Sequence, residues 1–176
     1  MEQDRNQTPR ANRIHIGFFG RRNAGKSSLI NAVTGQQVSV VSDILGTTTD
    51  TVEKAMELLP IGPVVLIDTP GLDDSGALGE LRVQRAKQTF SHTDIAVLVV
   101  DASVGMTQDD RRILQALTEK HIPALSVWNK WDLAENTVLP EGAIAVSAAT
   151  GDGIEALKER LGAFYRERTA TQNQAL

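Results

Sequence analysis

The stretch "GRRNAGKSS" at residues 20–28 constrains the fold more than any other part of the chain. It fits the pattern G-x-x-x-x-G-K-S/T. It follows "RIHIGFF", which reads as a strand, and opens "KSSLINAVT", which reads as a helix with Gly35 as its C-terminal cap. A glycine loop in that setting turns backbone N–H groups inward around a phosphate, and the helix N-terminus adds a favourable field. Lys26 is placed to reach the β- and γ-phosphates, and the Ser27 hydroxyl to coordinate magnesium. Gly20, Asn23, Ala24, Gly25 and Ser28 complete the candidate phosphate-contacting set.

The rest of the chain repeats the alternation of strand and helix. "PVVLID" and "IAVLVVD" are near-continuous apolar runs, as strands buried on both faces are. "TVEKAMELL" has mixed polarity and suits a sheet edge. A "PIG" turn joins it to "PVVLID", so that pair is expected to be an antiparallel hairpin. "ELRVQRAKQTF" and "TQDDRRILQALTEK" read as helices, the second with Thr107 as N-cap. "PALSVWN" and "GAIAVSA" read as further strands. A last helix over 152–168 puts Ile154, Leu157, Leu161 and Phe164 on one face. The expected class is α/β: a three-layer sandwich around a mostly parallel six-stranded sheet with one antiparallel edge strand. Ligands bind such sheets at the carboxyl ends of the strands. A single domain over residues 13–168 is expected, between a flexible arm at 1–12 and a flexible polar tail at 169–176.

Composition narrows the chemistry. There is no cysteine, which excludes thiolate catalysis and any cysteine-ligated iron–sulfur cluster within this chain. The three histidines, His15, His92 and His121, lack metal-ligand spacing. The net charge of −4 gives no electrostatic reason to expect nucleic acid or an anionic membrane as partner. No apolar run approaches the roughly 20 residues that span a bilayer, and the first residues have no signal-peptide core. The cytoplasm is the expected location. Trp128 and Trp131 read as packing residues, and the run from Asp109 to Arg112 as an exposed helix face.

Three further motifs fall at predicted strand ends, in order. "DTPG" ends "PVVLID": Asp68 can hold magnesium through a water, and the Gly71 N–H can bond a γ-phosphate. "NKWD" ends "PALSVWN" and selects the base. The Asp132 carboxylate can accept from guanine N1–H and the 2-amino group, a donor pair that adenine lacks. Asn129 can bond the N7/O6 edge, and the Lys130 stem can lie along the ring. "SAA" begins at Ser147 and offers a backbone N–H, near Ala148, to guanine O6. The expected ligands are GTP and GDP with magnesium. "SDILGTTTD" at 42–50 can supply a further hydroxyl to magnesium, and spacing leaves the choice among Thr47, Thr48 and Thr49 open. The residue after Gly71 is Leu72, where many nucleotide switches carry a water-orienting glutamine. Either nucleotide is bound without turnover, or another group handles the water.

In this order, the motifs resemble the translation-factor-like small GTPases, of the P-loop fold, and most of all the bacterial branch with "GRxNxGKSS" and "GTTxD". That branch includes the tRNA-modification and ribosome-assembly GTPases. The strings "VSDILGTTTD", "KAMELLPIGPVVLIDTPGLDD" and "GALGELRV" resemble HydF, the GTPase of FeFe-hydrogenase maturation. The resemblance implies Thr48 as the magnesium-binding threonine, and Asn23 as a ligand of potassium set against the phosphates. It also implies a hydrophobic residue at Leu72 and a water-positioning glutamate at Glu80. It implies a potassium-stimulated hydrolase of slow turnover, with Lys26, Thr48, Gly71 and Glu80 as catalytic groups and a possible GTP-dependent dimer of such domains. HydF continues into dimerisation and iron–sulfur domains and works with the hydrogenase and radical-SAM maturation enzymes. This chain is expected to be its isolated GTPase domain. The alternatives are a GTP-gated binding module with negligible hydrolysis, and a tRNA-modification or ribosome-assembly GTPase.

Overall fold

The computed structural model describes residues 13–35, 52–68 and 79–174. The expected arm at 1–12, the threonine loop with Thr47 and Thr48, and the segment with Gly71 and Leu72 lie outside the described residues.

Six strands form one sheet: β1 (Ile14–Phe19), β2 (Val52–Leu58), β3 (Gly62–Asp68), β4 (Ile95–Asp101), β5 (Ala124–Asn129) and β6 (Ile144–Ala145). Their order is β2-β3-β1-β4-β5-β6. Among the described residues only the β2–β3 pair is antiparallel, with Val52 opposite Asp68 and Leu58 opposite Gly62. The other pairs are parallel. The mixed sheet and its antiparallel edge are as the sequence predicts.

β4 shows why the sheet is covered on both faces. All seven of its residues are buried. Successive side chains of a strand point to opposite faces. Ile95, Val97 and Val99 join one core with Leu29 and Val33 of α1 (Lys26–Thr34) and Ile154, Leu157 and Leu161 of α4 (Ile154–Gln174). Ala96, Leu98 and Val100 join the other. That second core takes Val83 and Ala86 from α2 (Gly79–Thr89) and Ile113, Ala116 and Leu117 from α3 (Gln108–Glu119). Phe19 and Phe90 meet there edge to face, 5.6 Å between ring centres. Trp128 is buried in the same core and Trp131 packs against it, so both tryptophans are packing residues. Burying a Leu, Val or Ile side chain contributes roughly 1.5–3 kcal/mol, so two such layers fix which way each strand faces.

Three elements differ from the sequence reading. β6 is two residues long. Pro140 and Gly142 precede it, and beyond it Ser147 bonds Asp152 and Gly151 through its own backbone, leaving the ladder. α4 runs past Arg168 to Gln174, because residues 169–174 contain no glycine or proline to stop it. The run from Asp109 to Arg112 is not uniformly exposed. Asp110 is buried, and it closes a capping box with Thr107. Thr107 Oγ1 accepts from the Asp110 N–H at 3.2 Å, and Asp110 Oδ2 accepts from the Thr107 N–H at 3.0 Å. Asp109 pairs with Arg82 of α2 at 2.8 Å, tying the two helices together.

Burial pushes the Asp110 carboxyl above the ordinary aspartate range, against the hydrogen bonds from Thr107 and the charge of Arg21. An acid raised in the folded state favours folding when protonated, and that contribution is lost as pH rises through its folded value. Asp110→Asn keeps an acceptor for the cap and removes the buried charge. Its stability relative to the wild type, measured by urea unfolding, should improve between about pH 4 and pH 7. A difference independent of pH would contradict the burial argument.

Candidate functional site

The loop after β1 meets the carboxyl ends of β3, β4 and β5, through Lys26 with Asp68, Lys130 with Asp101 and Asn129 with Ala24. The phosphate loop leaves β1 at Gly20, makes one 3-10 turn over Arg22–Ala24 and enters α1 at Gly25. Gly20 and Gly25 have φ of 139° and 84°, a region that side chains rarely adopt. Both also lack room. A Cβ on Gly20 would lie 2.5 Å from the Val99 carbonyl oxygen, and one on Gly25 would collide with Asn129 Nδ2.

The start of α1 differs from the start of α3. α3 is closed by its capping box, whereas α1 has no side-chain cap and no acidic residue in its first turn. The first N–H groups of a helix have no partner within it. A helix start that no side chain caps suits an anion, which the helix dipole also favours there.

Lys26 is buried, with Nζ 3.2 Å from Asp68 Oδ1 at the end of β3. This is a charge contact rather than a directed hydrogen bond, for Asp68 Oδ1 is buried and accepts no hydrogen bond among the described residues. A carboxylate oxygen of that kind suits the hydration shell of a divalent cation, and Ser27, next to Lys26 in the first turn, is exposed and offers a hydroxyl. Magnesium therefore fits the residues present. Ser28 is also exposed and lines a cavity beside Asn129 and Asp132.

Asn129 ends β5 and is buried. Its Nδ2 donates to the Ala24 carbonyl at 2.9 Å, and its Oδ1 accepts from the Ala148 N–H at 3.0 Å. The sequence assigns Asn129 to the base edge and an N–H of "SAA" to guanine O6. In the structure these two groups bond each other and hold the phosphate loop against the loop after β6. The next residue, Lys130, is left-handed at φ 62°. Its ammonium donates to the Asn23 carbonyl in the phosphate loop and to Asp101 Oδ2 at 3.3 Å.

Beside these braces lies a cavity of about 300 Å³, lined by Gly25, Ser28, Asn129, Lys130, Asp132, Leu133 and the backbone turn from Ser147 to Ala149. Asp132 sits on the 3-10 turn Trp131–Leu133, exposed and without an ion pair among the described residues. Ser147 is buried, and its Oγ accepts from the Thr150 N–H at 3.1 Å, shaping the turn. An acceptor at the mouth, an apolar wall and a lysine stem are what a flat base with two donors requires.

Two assigned residues stand apart. Asn23 is exposed, and its carbonyl serves Lys130. Glu80 is exposed in the first turn of α2, where the helix dipole favours an acid, and no hydrogen bond joins it to the phosphate loop among the described residues. Asp101 is a residue that the sequence motifs do not reach. Burial pushes its carboxyl up, but hydrogen bonds from Ser103 and Lys130 outweigh this and hold it below the ordinary range. Its position at the carboxyl end of a fully buried strand is the signal that could have found it.

A family profile described as "50S ribosome-binding GTPase" matches residues 15–130. The chain belongs to this GTPase family. As a GTPase domain it is 40% identical over 156 residues to the tRNA modification GTPase MnmE of Nitrosomonas europaea, across 84% of this chain and 34% of that protein. It is 38% identical to MnmE of Aquifex aeolicus, over the same shares. The chain thus spans about a third of the length of these relatives. Among solved structures, a probable GTP-binding protein engB superposes with a TM-score of 0.66 at 29% identity, over 87% of this chain and 99% of that one. Aquifex aeolicus Era superposes with a TM-score of 0.66 at 27% identity, over 84% of this chain and 55% of that one. Era was solved with GDP and AlF4 bound. The GTPase domain carries the P-loop fold and binds GTP.

Two substitutions separate the roles of glycine. In Gly25→Ala the new methyl displaces Asn129, and GDP binding measured by calorimetry should be lost. Gly35 has a similar φ of 68°, but nothing lies within 4 Å of where its Cβ would stand. Gly35→Ala should therefore cost about 1 kcal/mol of stability and leave binding intact. Retained GDP binding in Gly25→Ala would refute the steric account.

Proposed function

We propose that this domain is a GTP-hydrolysing switch that reports its nucleotide state to the rest of a longer protein. The observation that carries the reading is the Asp132 carboxylate, without an ion pair among the described residues, on a cavity whose wall is braced to the phosphate loop through Asn129. Asp132 accepts from guanine N1–H and the 2-amino group, and the Lys130 stem covers the ring. Lys26 exchanges Asp68 for the β- and γ-phosphates, and the open N-terminus of α1 receives the phosphate oxygens. Water attacks the γ-phosphorus in line, the bond to the β-γ bridging oxygen breaks, and GDP and phosphate leave. Magnesium, held by Ser27, Thr48 and Asp68, would neutralise charge on the phosphates. Gly71 would donate its N–H to the γ-phosphate.

We further assign the stimulation to potassium, with Asn23 as ligand, and the positioning of water to Glu80. Leu72 supports this division, since it can neither donate nor accept a hydrogen bond. A cation against the phosphates supplies the charge that an arginine finger supplies elsewhere.

Two hosts fit the domain. The curated relatives favour a tRNA-modification GTPase. In that host, contact with RNA would fall to other domains, since the net charge of −4 does not attract a polyanion. The string over 54–74, most of it not dictated by nucleotide chemistry, favours HydF, with dimerisation and cluster domains and the hydrogenase maturation enzymes as partners. Iron and sulfide analysis of the full-length protein separates them: a cysteine-bound cluster selects HydF, and none selects the tRNA-modification reading. Either host is assigned to the cytoplasm. No helix among the described residues is long and apolar enough to cross a membrane.

Asp132→Asn should move the nucleotide preference from guanosine to xanthosine diphosphate in competition binding. An undiminished preference for GDP would sink the guanine assignment. Hydrolysis should be faster in potassium than in sodium. Asn23→Ala should abolish that difference, while Leu72→Ala should change the rate only modestly. Equal rates in the two salts for the unaltered chain would remove the potassium role.

A further inference from the structure

Asp101, the last residue of β4, is buried and belongs to none of the nucleotide motifs. Its carboxylate is held from one side before it meets any binding group. Oδ1 accepts from the Ser103 N–H at 2.9 Å and from the Ser103 hydroxyl at 2.6 Å. The Asp101 carbonyl accepts from the N–H groups of Val104 at 3.1 Å and Gly105 at 2.8 Å. These bonds fix the side chain and leave Oδ2 for the Lys130 ammonium at 3.3 Å.

The same ammonium donates to the Asn23 carbonyl. Lys130 thus spans from the end of β5 to the phosphate loop, with its stem beside the cavity that Asp132 faces. A lysine side chain carries about 2 kcal/mol of rotamer entropy, and this one is a third exposed, so it needs a partner to stay in that line. The Asn23 carbonyl alone offers a neutral acceptor on the loop that must itself be held. The buried carboxylate offers a charge on a rigid strand. Hydrogen bonds to charged groups are the stronger ones.

The geometry points to Asp101 as a positioning residue for guanine nucleotide: it anchors Lys130, so that the stem lies along the base and the ammonium clamps the phosphate loop. The inference rests on the guanine reading of the cavity given above. It makes the end of β4 part of the nucleotide site without touching the nucleotide. The clamp acts at the base and at the phosphate-loop backbone, so it serves GDP and GTP alike.

The test is the dissociation rate of fluorescent GDP and GTP analogues from this chain, its Asp101→Asn, Lys130→Met and Ser103→Ala variants, and the Asp101→Asn/Lys130→Met double variant. Asn keeps an acceptor for Ser103 and removes the charge facing Lys130. Asp101→Asn should release both nucleotides on the order of tenfold faster, as expected for a lost charged hydrogen bond. The double variant should release them no faster than Lys130→Met alone. Ser103→Ala, which loosens the turn but leaves the lysine contact, should change release far less than Asp101→Asn. Wild-type release by Asp101→Asn, or effects that add in the double variant, would overturn the proposal. Asp132→Asn, run in parallel, keeps the two readings apart. A shift to xanthosine with Asp101→Asn silent retires the role of Asp101 alone. No shift retires the guanine site itself.

Discussion

The site depends on one buried amide. Asn129 ends β5, and its two polar atoms face different loops: Nδ2 the Ala24 carbonyl, Oδ1 the Ala148 N–H. The first belongs to the loop after β1, the second to the loop after β6. This side chain thus ties together two loops whose strands, β1 and β6, are separated in the sheet by β4 and β5. A buried amide left unpaired costs about 1–3 kcal/mol, so each partner holds the others in place. Gly25 is glycine because Asn129 stands where its Cβ would be.

The sheet makes that bridge possible. β1 and β5 flank β4, which is buried throughout and has no freedom to shift register without turning apolar side chains to the wrong face. Ile95, Val97 and Val99 lock one face, and Ala96, Leu98 and Val100 the other. The loops at its carboxyl edge inherit that rigidity. The helix ends then divide the work. α3 is sealed by Thr107 and Asp110, while α1 is left open toward the place where Lys26 and Asp68 meet.

The strand alternation, the hairpin and the phosphate loop are legible in the sequence because each rests on local rules: apolar runs, a short proline turn and glycines between strand and helix. The proposed role of Asp132 is legible in the sequence because it rests on the donor pattern of guanine alone. What escapes a sequence reading rests on contacts distant in the chain. Asn129 reads as a base ligand, and nothing local reveals that it reaches Ala24. Asp101 reads as an ordinary strand end, since its partner Lys130 lies 29 residues on, past the end of β5. Asp110 reads as exposed because a charged pair on a helix usually is, and only the cap geometry turns it inward. The end of β6 is misleading because "GAIAVSA" alternates like a strand while its backbone is drawn off by Asp152 and Gly151.

The central claim is that these loops form one guanine-selective site. Competition of unlabelled GDP and ADP against a fluorescent GDP analogue on this chain tests it most directly. The Asp132 acceptor predicts displacement by GDP at concentrations at least about a hundredfold below those at which ADP acts, since adenine lacks the donor pair that the carboxylate would take. Equal displacement by the two nucleotides would contradict the account.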